Sequence, residues 1–235
     1  SKLSKGAGIT AVAAIIEHNT SGIISPKKNN ITDPKALEGK KYGTWNDPVE
    51  LAMIKSLVEK QGGDYNKIEL VPNSDSNSIT PLENGVFDAA WIYYAWDGKL
   101  AESMNLETNF FYLRDFDKKL DYYSPVIIAN NDYLKNNKEE AQKVLRAIKK
   151  GYVYAIEHPE EAADILIKNA PELKEKRDFV VASQKYISQQ YASNKEHWGE
   201  FDAERWNAFY RWVNENKIIE KPLADNTGFS NDYIK

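Results

Sequence analysis

The chain contains no cysteine. A protein without cysteine forms no disulfide and has no thiolate nucleophile, iron–sulfur cluster or cysteine-ligated zinc site. Cysteine-free proteins occur both inside and outside cells, so this absence excludes chemical classes and leaves the compartment open. Other features of the sequence have to indicate where the protein works.

Histidine is scarce, with three residues in the chain. His18, His158 and His197 are isolated in the sequence, and none has a second histidine or a carboxylate at metal-ligand spacing on a helix. We therefore expect no metal site. His18 follows an apolar segment and begins a short polar loop in which donors could converge, so it is a candidate for contact with a ligand.

Long apolar runs and dense basic patches are also missing. The longest aliphatic run, 11-AVAAII-16, is far too short to span a bilayer, and no basic and apolar signal segment precedes it. The net charge is −4 with both signs interspersed, so we expect no nucleic-acid partner.

Nucleophile-elbow, Walker and kinase signatures are absent too. The sequence therefore predicts neither an enzyme activity nor a cofactor.

Aromatic residues, by contrast, are plentiful. They make up 12% of the 235 residues, with 6 Trp and 14 Tyr. This is more than a plain core needs and indicates surfaces on which a flat ligand could stack. The length allows either one domain or two small lobes.

The order of the apolar segments predicts an α/β fold. Strands are expected at residues 9–16, 40–44, 68–71, 88–94 and 126–129 and, in part, at 110–116. Helices are expected after Pro48, at 79–84 and 139–157, after Pro159, at 178–193 and after Asp202. A loop rich in serine, asparagine and aspartate spans 72–78. Because alternating strands and helices favour parallel strands, we expect the loops 43–48 and 94–98 at one edge of a sheet.

The stretch 42-YGTWNDPVE-50 has the features of a ligand-binding turn. Gly43 permits an unusual backbone conformation, Asp47 can cap a helix, Pro48 suits its first position and Glu50 completes a capping box. The amides of the first turn could hold a small polar ligand. An ordinary helix start has the same signature, so the stretch alone leaves both interpretations open.

Amide, carboxylate and aromatic side chains are concentrated in the expected loops. Rings on two sides of a slot would sandwich a planar heterocycle, and a carboxylate could accept hydrogen bonds from an exocyclic amine. The predicted ligand is therefore small, flat and nitrogenous. Hydrophobic packing is the alternative for every ring, and Trp91 in particular suits a core as well as a pocket. The candidate ligand-binding residues are Asn19, Ser21, Trp45, Asn46, Glu50, Trp91, Tyr93, Trp96, Asp121, Tyr122 and Tyr123.

Several strings resemble one family of binding proteins. The family is that of the pyrimidine-precursor-binding proteins of thiamine-biosynthesis ABC transporters, which are relatives of the thiamine pyrimidine synthases within the periplasmic binding proteins. The strings span nearly the whole chain in the family's order. They are 17-EHNTSGIIS-25, 38-EGKKYGTWNDPVE-50, 85-GVFDAAWIYYAWDG-98, 121-DYYSPVIIA-129, 198-WGEFDAERWNAFYRWVNEN-216 and 228-GFSNDYI-234.

The resemblance implies a bilobal type II periplasmic-binding-protein fold, in which two α/β lobes close about a hinge around a ligand in the cleft. Residues 1–40 would then be the remaining N-terminal part of lobe 1 and the first crossover. Residues 41–114 would be lobe 2, and 115–235 the second crossover and the helical C-terminal part of lobe 1. Family members begin with further strands and helices, so we expect the N-terminal part of lobe 1 to be missing from this chain.

The resemblance also implies a function. The protein would be the extracytoplasmic solute-binding component of an ABC importer, periplasmic or lipid-anchored, and a monomer. It would capture a hydroxymethyl- or formylaminomethyl-substituted aminopyrimidine and deliver it to a membrane permease. Tyr122, Tyr123 and a ring from the segment 91–96 would stack on the ligand, Glu50 and the Asn19 loop would form hydrogen bonds, and the amides after Thr44 would hold it in place.

Three alternatives stay open. Related receptors bind other flat or anionic nutrients, such as riboflavin, sulfonate or nitrate, and a basic residue in the cleft would favour an anion. A pyrimidine-synthase-like enzyme is the second, although the synthases carry a cysteine-rich segment and a modified-lysine cofactor site that this chain lacks. A partner-binding scaffold, with its aromatic residues spread over a convex patch, is the third. Carboxylates and rings in the loops favour an amine-bearing ring.

Overall fold

The computed structural model describes residues 2–73 and 77–234. The chain forms two compact units. The first unit comprises residues 1–19 and 119–235, and the second unit comprises residues 20–118. Part of the expected polar loop, residues 74–76, lies outside the described residues.

Most of the expected elements are confirmed, with ends shifted by one or two residues. The strands in the described residues are β1 (Ile9–Ala14), β2 (Ser21–Pro26), β3 (Lys41–Thr44), β4 (Glu69–Pro72), β5 (Ala89–Tyr93), β6 (Thr108–Tyr112) and β7 (Val126–Asn130). The helices are α1 (Pro48–Lys60), α2 (Ile79–Glu83), α3 (Lys99–Ser103), α4 (Leu113–Phe116), α5 (Asn131–Asn136), α6 (Lys138–Glu157), α7 (Pro159–Asn169), α8 (Arg177–Tyr191) and α9 (Ala203–Glu215). The strand expected over 110–116 ends at Tyr112, because the next four residues turn into α4 and bury Leu113.

The second unit is built on a five-stranded sheet with the order β4-β3-β5-β2-β6. β3 is parallel to β4 and β5, whereas β2 is antiparallel to β5 and β6. Successive side chains of a strand point to opposite faces. Ala90 and Ile92 of β5 pack into a core with Ile24 and Phe87, so Trp91 and its neighbours at alternate positions face the other side.

The first unit contains a two-stranded antiparallel ladder of β1 and β7. The register of this ladder shifts between Ala11 and Ala13, and Ala13 then packs with Leu145 and Trp198 into one core cluster. The C-terminal segment adds to the other edge of β1, where the amide of Ser230 donates to the carbonyl oxygen of Ala11 at 2.9 Å. Helices α5 to α9 supply the rest of this unit.

The assignment of residues to lobes stays a prediction. β2 forms its hydrogen bonds within the sheet of the second unit, so the segment 1–40 is divided after Asn19 between the two compact units. No helix among residues 2–73 and 77–234 is long and apolar enough to cross a bilayer.

Candidate functional site

The loop between β3 and α1 is organised around the buried carboxylate of Glu50. Its Oε1 accepts a hydrogen bond from the hydroxyl of Tyr42 at 2.8 Å, and its Oε2 accepts from the hydroxyl of Thr44 at 3.0 Å and the amide of Trp45 at 3.1 Å. The capping box of Asp47 and Glu50 is confirmed. Burial raises the pKa of the Glu50 carboxyl above its ordinary value, and the bonds from Tyr42 and Thr44 partly oppose this.

The amides of this loop already have acceptors. Those of Val49 and Glu50 donate to Oδ1 of Asp47 at 2.8 and 3.2 Å, and that of Asn46 donates to the hydroxyl oxygen of Thr44 at 2.8 Å. The geometry therefore does not support the expectation that free amides after Thr44 hold a ligand. Two carboxylates occupy the helix start, which disfavours an anion at this position.

The unusual backbone conformation of the loop is at Asn46, whose φ is 59°, and not at Gly43. Asparagine adopts this left-handed region more readily than most residues. Gly43 is required for a different reason. A Cβ atom at this position would lie 2.8 Å from the ring of Phe87, so glycine allows the close approach of that buried ring.

Three large aromatic side chains are exposed beside this loop. Trp45 is 45%, Tyr93 40% and Trp96 42% exposed, and we call these three residues the aromatic edge. β3 and β5 are parallel neighbours, so the loops that follow them open at the same edge of the sheet, as expected. Trp91 lies beneath, with its ring centroid 6.1 Å from that of Trp45 and the two planes tilted by 45°. A contiguous exposed apolar surface is typical of binding sites, so the aromatic edge is a candidate binding surface.

The residues after β5 form a single π-helical turn, Tyr94–Gly98. Tyr94 is used within the fold, because its ring packs 4.6 Å from that of Phe110 and its hydroxyl donates to Glu102 at 2.6 Å. Asp97 is half-buried in this turn. Burial raises the pKa of the Asp97 carboxyl above its ordinary value, while nearby backbone amides act in the opposite direction.

Asp121 is the centre of a charged cluster in the first unit. Its Oδ1 accepts from the amide of Asn19 at 2.8 Å, and its Oδ2 lies 2.6 Å from Nδ1 of His18 and 3.4 Å from Nη1 of Arg205. Arg205 also approaches His18 Nδ1 to 2.8 Å. A guanidinium only donates, so the tautomer of His18 decides which of these two contacts is a hydrogen bond. The side chain of Asn19 donates to the carbonyl oxygen of Leu120 at 3.0 Å.

Arg205 is a residue of this cluster that the sequence did not reveal. Its guanidinium carbon lies 3.9 Å from the ring centroid of Tyr123, and its Nη2 donates to the carbonyl oxygen of Glu17 at 2.5 Å. The hydroxyl of Tyr123 accepts from the amide of Asp202 at 2.8 Å. The local sequence around Arg205 indicates only a capped helix start, because its partners are distant in the chain.

Tyr123 and Arg205 line a cavity of about 490 Å³ in the first unit. Its volume lies within the range of small-molecule sites. The other lining residues that carry rings or charges are Glu17, Tyr191, His197, Glu200, Phe201 and Asp202. The ring of Tyr122 packs elsewhere, stacked on Phe209 with centroids 4.3 Å apart, so one of its faces is covered. Among residues 2–73 and 77–234 no group of three or more histidines and acidic residues is arranged to hold a metal ion.

The candidate residues fall into two sets, one in each unit. In the second unit Trp45, Asn46, Tyr93 and Trp96 are exposed, whereas Ser21, Glu50 and Trp91 are buried. In the first unit Asn19 and Tyr123 are buried, and Asp121 and Tyr122 are partly exposed. A direct contact with ligand stays a prediction for each of them. The geometry of the second unit gives Glu50 a role in holding the loop.

Comparisons with known proteins give a family and a fold. A family model described as "NMT1/THI5 like" matches residues 1–162. The formylaminopyrimidine-binding protein of Halalkalibacterium halodurans is 22% identical over 229 residues, which cover 97% of this chain and 69% of that protein.

Two solved structures are similar in fold. The periplasmic aliphatic sulphonate binding protein SsuA from Escherichia coli has a TM-score of 0.70 at 15% identity, covering 94% of this chain and 69% of that one. The desulfurization enzyme DSZB has a TM-score of 0.66 at 12% identity, covering 97% of this chain and 78% of that one. The expected α/β fold of periplasmic substrate-binding proteins is confirmed.

Proposed function

Because the chain belongs to the NMT1/THI5-like family, we propose that it is the solute-binding component of an ABC importer and that its ligand is an aminopyrimidine. The observation that carries this proposal is the aromatic edge, where three large rings are each at least 40% exposed. A relative of the chain is named for binding formylaminopyrimidine. Family and exposed rings therefore support the same class of ligand.

The chemistry of the second unit suits a flat amine-bearing ring. Stacking on Trp45 or Trp96 would remove both the ligand face and the exposed indole from water, and aromatic stacking adds about 0.5–1.5 kcal/mol to that burial. Asp97, at the same end of β5, offers a partly desolvated carboxylate that can accept hydrogen bonds from an exocyclic amine. These groups can hold a neutral or cationic heterocycle.

An anionic ligand fits the described groups less well. SsuA is named for binding sulphonates, so the fold itself accommodates them. Here the start of α1 is filled by the carboxylates of Asp47 and Glu50. The guanidinium of Arg205, which lies over the Tyr123 ring, already interacts with Asp121 and the carbonyl oxygen of Glu17, whereas its buried Nε has no hydrogen-bond partner among the described residues. The start of α1 therefore disfavours an anion, and the Arg205 charge is largely compensated within the fold.

Binding rather than catalysis is part of the proposal. DSZB is an enzyme with a similar fold, so the fold does not decide between the two. The proposal of a carrier follows the name of the formylaminopyrimidine-binding relative. It includes a membrane permease as partner, no nucleic acid, no cofactor, a monomeric state and an extracytoplasmic location, either periplasmic or lipid-anchored.

Tryptophan fluorescence tests the proposal, because exposed indoles report on a stacked ligand. Titration with hydroxymethyl aminopyrimidine should quench the emission with a saturable, one-site dependence. Trp45→Ala should weaken the affinity about tenfold, the equivalent of about 1.4 kcal/mol. Trp212→Phe, a change at a buried ring of the first unit, should alter the total emission but leave the affinity unchanged. The absence of any saturable change up to millimolar ligand would contradict the proposal.

A further inference from the structure

A buried hydrogen-bond donor lies beneath the aromatic edge without an acceptor. Trp91 is 4% exposed, and no acceptor for its Nε1 lies within hydrogen-bonding distance among residues 2–73 and 77–234. A buried donor left unsatisfied costs about 1–3 kcal/mol. Native proteins contain few such groups, and each calls for an explanation.

The position of Trp91 connects it with the aromatic edge. Trp91 and Tyr93 occupy alternate positions of β5 and so point to the same face of the sheet. The Trp91 ring contacts that of Trp45, which is 45% exposed and follows the parallel neighbouring strand. Nε1 of Trp91 is buried, and Trp45 is an exposed ring next to the Trp91 ring.

A partly buried carboxylate lies just beyond the same strand. Asp97 follows the end of β5 by four residues and is only partly accessible to water. The neighbouring Lys99 pairs with Glu102 at 2.9 Å. Partial desolvation raises the pKa of the Asp97 carboxyl, although hydrogen bonds from the backbone amides of Tyr93 and Asp97 act in the opposite direction.

We propose that Trp91 and Asp97 are the specificity pair of the ligand site, in which the indole N–H donates to a ring nitrogen and the carboxylate accepts from the adjacent exocyclic amine. This inference rests on the proposed function and assigns two residues to the recognition of one edge of the ligand. Trp45 contributes the stacking face and has to shift when the ligand enters. In this arrangement the ligand supplies the acceptor that the buried Trp91 N–H lacks among the described residues.

The pair distinguishes amino from oxo heterocycles. An aminopyrimidine presents a ring-nitrogen acceptor beside an N–H donor, which complements one donor and one acceptor. In the corresponding oxo compound the ring nitrogen carries the proton and the exocyclic oxygen accepts, so both partners are mismatched. A site built to satisfy polar groups strongly rejects an analogue that leaves them unpaired. The expected specificity is therefore for the amine.

The test compares two probes, hydroxymethyl aminopyrimidine and its oxo analogue, by titration calorimetry. The wild-type chain should bind the amino compound at least about tenfold more tightly, the equivalent of about 1.4 kcal/mol. Trp91→Phe keeps the ring and removes the N–H, and it should weaken binding of the amino compound about tenfold. Asp97→Asn replaces one acceptor oxygen by an NH2 donor and should narrow or reverse the preference for the amino over the oxo compound. Asp115→Asn, at an exposed acid of the same unit, is the matched control and should change neither affinity.

The outcomes separate this inference from the proposed function. One outcome is that wild type binds the amino compound and both variants keep the wild-type ratio of affinities for the amino and oxo compounds. This result overturns the specificity pair and leaves the proposed function standing. A wild-type chain that binds neither probe overturns both. Thermal unfolding of each variant checks that it is folded. If Trp91→Phe does not fold, the ratio measured with Asp97→Asn still decides the question.

Discussion

The hydroxyl of Tyr42 donates a 2.8 Å hydrogen bond to Oε1 of Glu50, and both side chains are buried. This bond ties the middle of β3 to the first turn of α1, so it fixes the loop from which Trp45 projects. Tyr42, Thr44 and the Trp45 amide all donate to the same carboxylate. The conformation of the Trp45 loop therefore depends on Glu50.

Replacement of Glu50 by alanine should destabilise the second unit. The change leaves the donors of Tyr42, Thr44 and Trp45 without their acceptor, and each unsatisfied buried donor costs about 1–3 kcal/mol. We expect a loss of more than about 2 kcal/mol in the free energy of unfolding, measured by urea denaturation. Glu59→Ala is the control, because Glu59 is exposed on the same helix with Lys55 3.9 Å away, and it should lose less than about 1 kcal/mol. Equal losses would contradict the role given to Glu50.

The contribution of Glu50 to stability should also depend on pH. Burial raises the pKa of its carboxyl above the ordinary 4.5, so the folded state binds this proton more tightly than the unfolded state. The added stability is fully present below the unfolded pKa and is lost as pH rises through the folded pKa. The free energy of unfolding of wild type minus that of Glu50→Gln should therefore increase as pH falls from neutrality to below 4.5. A difference that stays constant or decreases as pH falls would show that burial does not raise the pKa of the Glu50 carboxyl.

Substitution of Arg205 by lysine should weaken the first unit although the charge is kept. The planar guanidinium covers the Tyr123 ring and at the same time donates towards Asp121 and the carbonyl oxygen of Glu17. An ammonium group cannot reproduce this arrangement. We expect a loss of about 1–3 kcal/mol in the free energy of unfolding.

Arg146→Lys provides the matched control for that change. Arg146 is exposed on α6, and surface substitutions usually stay within about 0.5 kcal/mol. Denaturation curves of the two variants under identical conditions make the comparison. If Arg205→Lys were as mild as Arg146→Lys, the cluster around Asp121 would not need a guanidinium.

Two glycine-to-alanine changes should act in opposite directions. A Cβ at Gly43 would lie 2.8 Å from the buried ring of Phe87, so Gly43→Ala should destabilise by about 1–3 kcal/mol through overpacking. At Gly151, within α6, a Cβ meets nothing within 4 Å, and Gly151→Ala should stabilise by about 0.5–1 kcal/mol. Thermal melts of both variants show whether each change raises or lowers the stability. Stabilisation by Gly43→Ala would refute the close packing on Phe87.

Local patterns in the sequence were sufficient for the features that depend on neighbouring residues. The capping box of Asp47 and Glu50 spans four positions, and the strand after Asp88 is one apolar run, so both could be predicted. The long-range features could not. Arg205 contacts Asp121 across 84 positions, and nothing in the residues around either one indicates this pairing.

Packing decided other details that the sequence left open. The glycine at position 43 indicated a special backbone conformation. The structure gives a different reason for glycine at this position, the close packing of the ring of Phe87, which is distant in the sequence. Tyr122 and Tyr123 are adjacent and equivalent in the sequence. The structure separates them, because Tyr122 stacks on Phe209 and Tyr123 lies under Arg205.

Calorimetric titration of the chain with hydroxymethyl aminopyrimidine and with an alkanesulfonate, side by side, tests the central claim most directly. The proposed ligand site predicts saturable one-site binding of the aminopyrimidine and no detectable binding of the sulfonate. Saturable binding of the sulfonate, with no heat from the aminopyrimidine, would contradict it.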